Sequence, residues 1–127
     1  MNRVKIIVDD ERIPPNGWMS FLNPEAFIAW RRANQDVVID VLSLDNDMGL
    51  DFMSGYDLVQ YLEEVDSMNP QSIKRLQFHS ANPIAVKNMY SYACNAQKYG
   101  SFSESMTIIA ERMQLINERF SFTGIHC

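Results

Sequence analysis

Short apolar runs alternate along the chain with segments of helical periodicity. Runs rich in β-branched and aromatic residues predict strands at 3–8, 37–45 and 74–80, with shorter candidates at 18–22 and 97–100. Apolar residues at helical spacing predict helices at 23–33, 54–65, 82–96 and 101–120. Strands that alternate with helices are typical of a parallel sheet covered by helices. The pattern predicts one α/β domain over 1–127, with three layers, a mostly parallel central sheet and helices on both faces.

Local end signals support three of these helices. Asn-Pro pairs at 23–24 and 82–83 place a capping side chain before a proline that suits the first helical position. Ser101 and Glu104 have the spacing of a capping box. The apolar face expected after that box consists of Met106, Ile109, Met113 and Ile116. The last helix is therefore expected to begin near 101.

The link between the first two predicted strands is short. About eight residues separate Asp9 from Trp18, whereas a parallel strand pair needs a crossover of a dozen or more. The stretch IPPNG at 13–17 favours a turn or loop. The segment 18–22 is therefore expected either to be an irregular edge segment or not to run parallel to the first strand.

Composition and charge narrow the class of protein. The 127 residues are 46% apolar and 21% charged, which is typical of a globular domain, and no apolar run is long enough to span a membrane. A net charge of −5 disfavours a nucleic-acid-binding surface over the whole molecule but allows a small basic pocket. Cys94 and Cys127 lie far apart in sequence and are expected to be reduced thiols, which predicts a cytoplasmic protein.

Carboxylates follow two of the most apolar strands. Asp9 and Asp10 end the first, and Asp45 and Asp47 follow the run VLSL. Because the carboxyl ends of parallel strands meet at one edge of a sheet, these groups are expected to lie together. Closely spaced carboxylates need a proton or a cation between them, and oxygen ligands of this kind suit Mg²⁺ or Mn²⁺. The other interpretation is that these residues are solvated turn formers at strand ends.

A third polar stretch, FHSANP, follows the strand at 74–80. His79 suits general acid–base chemistry, and Ser80 can bind a phosphoryl oxygen. Asn82 and the helix start beyond it form a potential anion site. Structural alternatives stay open, because Asn82 suits a helix cap and His79 suits packing under a helix. Arg12 either pairs with a phosphate or balances the nearby acids.

These stretches together resemble the receiver superfamily. An acidic pair closes the first strand, Asp45 closes the third with Met48 three residues later, and Ser80 ends the fourth. The resemblance implies a receiver-like (flavodoxin-like) fold in which the third-strand Asp accepts a phosphoryl group beside Mg²⁺. Receivers also place a Lys-Pro after the fifth strand. The region taken to match, KYGSFSES, offers only Lys98, and ERIPPNGW replaces the first receiver helix.

A closer resemblance is to the cyclic-phosphate-processing receiver-like domain (cREC) of phages and bacteria. Four motifs in order carry it, within about residues 4–95: VDDERIPPNGW, SLDNDMG, SGYDLVQYL and HSANP. The resemblance implies a metal-assisted phosphoesterase that acts on cyclic phosphates of nucleotides or RNA ends. The positions it assigns to the active site are Asp9, Asp10, Asp45, Asp47, His79 and Asn82.

Three functions follow as hypotheses. In the first, Asp9, Asp10, Asp45 and Asp47 hold Mg²⁺ or Mn²⁺ for the hydrolysis of a cyclic phosphodiester. The catalytic residues are then His79, Asp45 and Asp10, and the substrate-binding residues are Arg12, Ser80 and Asn82. In the second, Asp45 is a reversibly phosphorylated signalling residue. In the third, the protein binds a nucleotide or docks on a host protein without catalysis, in the host cytoplasm if it is phage-encoded. The sequence does not indicate an oligomeric state.

Overall fold

A computed structural model describes residues 3–46, 53–65, 72–80, 82–116 and 119–126, with side chains described as far as Ala110 except that of Val65. The strands are β1 (Arg3–Val8), β2 (Met19–Phe21), β3 (Val38–Leu44), β4 (Arg75–Phe78), β5 (Thr107–Ile116) and β6 (Arg119–His126). The helices are α1 (Pro24–Ala33), α2 (Gly55–Val65) and α3 (Pro83–Lys98).

The strands form one mostly parallel sheet in the order β2-β1-β3-β4-β5-β6. The first five strands are parallel, and β6 pairs with β5 in the antiparallel direction. The order 2-1-3-4-5 is that of the flavodoxin-like fold, in which ligands bind beyond the carboxyl ends of the strands. The predicted α/β receiver-like architecture is confirmed.

One core joins the sheet to all three helices. Alternate strand residues, which share a face of the sheet, pack against Phe27 of α1, Leu58 of α2 and Met89 of α3. The strand residues in this core are Ile6, Val8, Leu42, Leu44, Leu76, Phe78, Ile108 and Ala110. The described helices therefore share one face, although the sequence predicted helices on both. The segments that would cover the other face are a loop after β1 and a strand after β5.

The predicted helix at 101–120 is wrong. Residues 107–116 form β5, and Ile108, Ile109 and Ala110 are buried in succession, as in a strand covered on both sides. The capping-box residues lie in the loop before it, where Gln97 Nε2 donates to the carbonyls of Ser103 and Met106 at 2.8 and 2.7 Å. The apolar spacing suited both a helix and a strand, and pairing with β4 decided the outcome.

The predicted strand near 97–100 is also wrong. α3 continues to Lys98, and the chain then turns at Gly100, whose φ of 87° lies in the left-handed region that glycine adopts most readily.

β2 is a parallel edge strand despite its short connection to β1. Ile6 pairs with Met19 and Val8 with Phe21, so the chain must return by only the length of three residues, about 10 Å. The return is made by a loop with a turn, in which the Trp18 N–H donates to the Pro15 carbonyl at 3.2 Å. Such a short edge strand needs no helical crossover.

Cys94, on α3, is disulfide-bonded, so the prediction of a reduced thiol there is wrong; Cys127 lies outside the described residues. Separation along the sequence gives no information about distance in the fold, and the thiol argument for a cytoplasmic location no longer holds.

Among the described helices, none has both the length and the apolar character of a membrane span.

Candidate active site at the carboxyl edge of the sheet

Three predicted site residues lie side by side at the carboxyl edge because the hydrogen-bond ladder continues one residue beyond each strand. The N–H of Asp9 donates to Phe21, that of Asp45 to Val8 and that of His79 to Leu44, at 3.0, 3.1 and 2.9 Å. The sheet itself thus fixes Asp9, Asp45 and His79 in adjacent positions. The predicted convergence of these three stretches is what the structure shows.

The carboxylates form a compact cluster. One oxygen from each of Asp9, Asp10 and Asp45 lies within 4.8 Å of the others. Asp9 is buried, Asp45 is half-buried and Asp10 is exposed. The fourth predicted ligand, Asp47, lies outside the described residues. The cluster can hold a hard cation through oxygen ligands.

Asp9 is held firmly as an anion. Its Oδ1 accepts the backbone N–H groups of Glu11 and Arg12 at 2.8 and 3.0 Å, and its Oδ2 lies 2.9 Å from His79 Nε2. Burial by itself would raise the pKa of Asp9, but these hydrogen bonds outweigh it, so the pKa lies below the ordinary value. Asp9 is the fixed member of the cluster.

Asp45 is in the opposite electrostatic situation. Burial and the charge of Asp9 raise the pKa of Asp45, and hydrogen bonds from Asn46 and Ser80 offset this only in part. The Asn46 bond is the backbone N–H donating to Asp45 Oδ1 at 2.7 Å. A cation beside Asp45 would stabilise the charge that the protein alone stabilises poorly.

Asn46 and Gly55 set the backbone around Asp45. The Asn46 carbonyl accepts the Gly55 N–H at 3.0 Å, and Asn46 Oδ1 accepts the Tyr56 N–H at 3.1 Å, which ties the end of β3 to the start of α2. A Cβ at position 55 would lie 2.1 Å from the Asp45 carbonyl oxygen. Only glycine fits there without displacing Asp45. Nothing in the spacing of the sequence around Gly55 indicated this role.

His79 lies beneath the cluster rather than facing solvent. Its side chain is 1% exposed, Nδ1 lies 2.7 Å from Ser43 Oγ, and Nε2 faces Asp9. Gln77 Nε2 in turn donates to Ser43 Oγ at 3.2 Å. Both ring nitrogens are therefore engaged. Ser43 and Gln77 were missed in the sequence, although a serine inside the run VLSL was a usable signal.

Ser80 and Asn82 organise the start of α3. Asn82 Oδ1 accepts the N–H groups of Ile84 and Ala85 at 3.1 and 3.3 Å, and the Asn82 N–H donates to Ser80 Oγ at 3.1 Å. The cap thus uses helix donors that the sequence analysis offered to an anion. The backbone N–H groups of Ile84 and Ala85 therefore already have an acceptor and are not available to a phosphate.

Arg12 lies beside the cluster, with Nε 3.9 Å from Asp9 Oδ2 and a side chain that is 47% exposed. This contact fits the interpretation in which Arg12 balances nearby acids. Its exposure leaves the guanidinium accessible to a ligand from solvent.

Two grooves on the described surface lie elsewhere. Their volumes are 780 Å³ and 470 Å³, and α3 residues line both, together with Glu104 in the larger and Tyr56 in the smaller. Neither groove is lined by a carboxylate of the cluster. The candidate site is an open rim and not one of these cavities.

The parallel sheet of order 2-1-3-4-5, with an acidic pair after β1 and an aspartate after β3, defines a receiver-like domain. A family model described as the cyclic-phosphate processing receiver domain matches residues 4–95, and the chain belongs to that family. No curated protein and no solved structure gave a significant match.

Proposed function

We propose that the protein is a metal-dependent phosphoesterase that acts on a cyclic phosphate of a nucleotide or of an RNA end. One observation carries the proposal: the cluster of Asp9, Asp10 and Asp45 lies at the ligand-binding edge of a domain whose family is described by cyclic-phosphate processing. Hydrolysis of a phosphodiester requires charge neutralisation and an oriented water, and a carboxylate-held cation supplies both.

The donor set fits Mg²⁺ or Mn²⁺. All three candidate ligands are carboxylates, which hard divalent cations prefer. Burial and the charge of Asp9 raise the pKa of Asp45, and a cation beside it would stabilise its charged form. Asp9, Asp10 and Asp45 would hold the ion, with Asp47 as a further predicted ligand. When bound, such an ion polarises a phosphoryl group and lowers the pKa of a coordinated water.

The exposure of each side chain indicates which residues can contact a substrate and which can only support the site. Asp10 is exposed and Asp45 is half-buried, so these two carboxylates can contact a ligand. We assign to Asp10 the role of accepting a proton from an attacking water. Asp9, bound on both oxygens, positions the others. A direct acid role for His79 would break one of its two ring hydrogen bonds, so we assign it to holding Asp9. Arg12 and Ser80 remain the candidate phosphate-binding residues.

Three exposed apolar side chains in segments next to the carboxyl edge favour a nucleotide over a bare phosphate ester. Ile13, Leu22 and Ile84 are 88%, 64% and 71% exposed, and they account for three of the four large exposed apolar side chains in the described part of the chain. They follow β1 and β2 or lie in the first turn of α3, at the same edge as the carboxylates. Exposed apolar side chains beside a polar site suit contact with a nucleobase.

The test is turnover of a panel of 2′,3′- and 3′,5′-cyclic nucleotides with Mg²⁺ or Mn²⁺. We expect hydrolysis of at least one member, loss of at least a hundredfold in kcat for Asp45→Asn and Asp10→Asn, and full activity for the exposed control Asp36→Asn. Absence of turnover by folded, metal-loaded protein with every member would overturn the proposal. Tight nucleotide binding without product would instead indicate a non-catalytic binder.

The position of Asp45 supports a second candidate, a phosphoacceptor. Asp45 ends β3 beside Asp9, and its side chain is hydrogen-bonded to Ser80. Receivers pair the phosphoryl group with a lysine after the fifth strand, however, and Ala110, the last β5 residue paired with β4, is followed by Glu111. The region that the sequence analysis matched to this lysine, around Lys98, belongs to α3. A mass gain with a small phosphodonor, absent in Asp45→Asn, would favour this candidate.

A further inference from the structure

A chain of buried hydrogen bonds runs from the sheet to the carboxylate cluster. It passes from Gln77 Nε2 to Ser43 Oγ at 3.2 Å, from Ser43 Oγ to His79 Nδ1 at 2.7 Å, and from His79 Nε2 to Asp9 Oδ2 at 2.9 Å. Ser43, His79 and Asp9 are only 2%, 1% and 6% exposed. The two bonds that His79 makes are therefore buried, and the Gln77–Ser43 bond is part-buried.

The chemistry of the two ends favours one direction of this chain. Asp9 is an anion and only accepts, so the proton on His79 lies at Nε2. The Gln77 amide nitrogen only donates, so Ser43 Oγ accepts from it and has its own proton left for Nδ1. In that direction Nε2 donates to Asp9 and Nδ1 accepts from Ser43, which is the Nε2–H tautomer.

The chain begins on the face of the sheet opposite the described helices. Ser43 pairs in register with Gln77, and both side chains alternate with the core residues Leu42, Leu44 and Phe78. A buried hydroxyl in a parallel strand costs free energy unless it is hydrogen-bonded, and an aliphatic residue would pack there without that requirement. A role in orienting His79 would explain why this buried position holds a serine and not an aliphatic residue.

Building on the proposed function, we propose that Ser43 and Gln77 are positioning residues for the cation site. Through His79 they hold the Asp9 carboxylate in an orientation that lets it share a cation with Asp10 and Asp45. The backbone N–H groups of Glu11 and Arg12 fix the other Asp9 oxygen, so the carboxylate is held from two sides. Outer groups of this kind set ligand orientation at metal sites.

Two readouts on the full chain test the inference, both with Mn²⁺ alone and neither dependent on turnover. The first is Mn²⁺ affinity by calorimetry, where we expect Ser43→Ala to lose about 10–100-fold. The second is the ¹⁵N spectrum of the His79 ring, which we expect to show the Nε2–H tautomer in the wild type. His126→Gln assigns the signals, since the chain has two histidines.

Gln77→Glu tests the direction of the chain. A glutamate at 77 would accept the Ser43 proton and so remove the donor to Nδ1, and we expect the ¹⁵N signals of the His79 ring to change. Wild-type ring signals in Gln77→Glu would overturn the assigned direction. Ile109→Val is the matched control, because Ile109 is buried and pairs in register with Gln77. It removes one methylene from a buried side chain and leaves the polar chain intact. It should change neither Mn²⁺ affinity nor the ring signals.

The outcomes separate this inference from the proposed function. Wild-type Mn²⁺ affinity in folded Ser43→Ala, or an Nδ1–H tautomer in the wild type, would overturn the inference and leave the phosphoesterase proposal standing. No Mn²⁺ binding by the wild type would overturn both. A further outcome is that Ser43→Ala and Ile109→Val proteins of equal stability lose the same amount of Mn²⁺ affinity. That result would show that Ser43 acts only through packing, and it would overturn the inference.

Discussion

Asp9 and Asp45 end neighbouring strands, yet the protein stabilises their charges to different degrees. Asp9 accepts two backbone N–H groups and contacts His79, and its pKa is lowered. Asp45 is half-buried beside that anion, and its pKa is raised. Two like charges at this distance require either a cation or a proton. The fold itself therefore stabilises the charge of Asp9, whereas the charge of Asp45 needs a bound cation for its stabilisation.

This difference predicts opposite effects of removing the two charges in metal-free protein. An acid whose pKa is raised in the folded state loses stability as the pH rises through that raised pKa, so at neutral pH Asp45→Asn should raise Tm. An acid whose pKa is lowered contributes stability above its unfolded pKa, so Asp9→Asn should lower stability, by about 1–3 kcal/mol for the hydrogen bonds lost. Thermal unfolding in chelator measures both, with Asp36→Asn as the exposed control. A lower Tm for Asp45→Asn would contradict the electrostatic account.

Gly55 permits a separate prediction. Alanine is normally preferred to glycine in a helix by about 0.5–1 kcal/mol, but a Cβ here would lie 2.1 Å from the Asp45 carbonyl oxygen. We expect Gly55→Ala to destabilise the protein by about 1–3 kcal/mol, as overpacking does, and to weaken Mn²⁺ binding by moving Asp45.

Gly100→Ala serves as the control for Gly55→Ala. Gly100 has a φ of +87° and nothing within 4 Å of an added Cβ, so alanine there is strained without a clash near the site. It should lower stability while leaving Mn²⁺ affinity unchanged. A Gly55→Ala protein with increased stability and normal affinity would show that the loop accommodates the Cβ.

The individual site residues were only partly predictable from sequence. The convergence of Asp9, Asp45 and His79 followed from the rule that parallel strands end at one edge, which depends on strand order alone. The bonding partners of His79 did not follow, because they depend on which face of the sheet each side chain takes. Ser43 and Gln77 enter the site only through that register, and sequence spacing does not report it.

At the scale of elements, the sequence indicated helices best where a capping asparagine is followed by proline. α1 and α3 both begin at a proline that follows a capping asparagine, as predicted. The capping box at 101–104 was also followed by apolar residues at helical spacing, but the β-branched residues Thr107, Ile108 and Ile109 favour a strand. β5 forms a strand because its backbone pairs with the edge of β4 in the parallel direction, from Thr107 to Ala110. Tertiary pairing of this kind overrides local helical spacing.

The start of α3 yields a prediction about Asn82, which has both a structural and a proposed functional role. Asn82→Ala should cost about 0.5–2 kcal/mol, because the N–H groups of Ile84 and Ala85 lose their acceptor. Asn82→Ser should restore most of that stability, since a serine hydroxyl caps nearly as well. Chemical denaturation measures both values.

Turnover of the same variants distinguishes the two roles of Asn82. If Asn82 only caps, Asn82→Ser restores activity along with stability; if it also contacts substrate, activity stays low in a protein of normal stability. Asn23→Ala is the matched control, because Asn23 Oδ1 accepts the Ala26 N–H at 2.8 Å and caps α1. It should cost similar stability and leave kcat unchanged.

At the scale of the whole molecule, the departures from a receiver concern one face of the sheet. The described helices and the hydrophobic core share the other face, so the chain keeps the packing that holds β1, β3 and β4 in order. The loop after β1 and the β5–β6 pair replace the two helices expected on the remaining face. The polar chain through Ser43 and Gln77 lies on that remaining face, where the described part of the molecule has no helix to pack against it.

The cation site couples the whole molecule to metal and to pH. A ligand that binds only the folded state stabilises it by about 2.7 kcal/mol at a hundredfold excess over Kd, so Mn²⁺ should raise the wild-type Tm and leave Asp45→Asn nearly unchanged. Protons compete with the ion for Asp45, whose pKa is raised by burial and by Asp9. The Mn²⁺-induced rise in Tm should therefore shrink as the pH falls, starting at a higher pH than the ordinary aspartate value of about 3.9 would give. Paired melting curves with Mn²⁺ and with chelator, across mildly acidic to neutral buffers, measure this difference. A shift that is independent of pH, or equal in Asp45→Asn, would mean that the ion binds elsewhere.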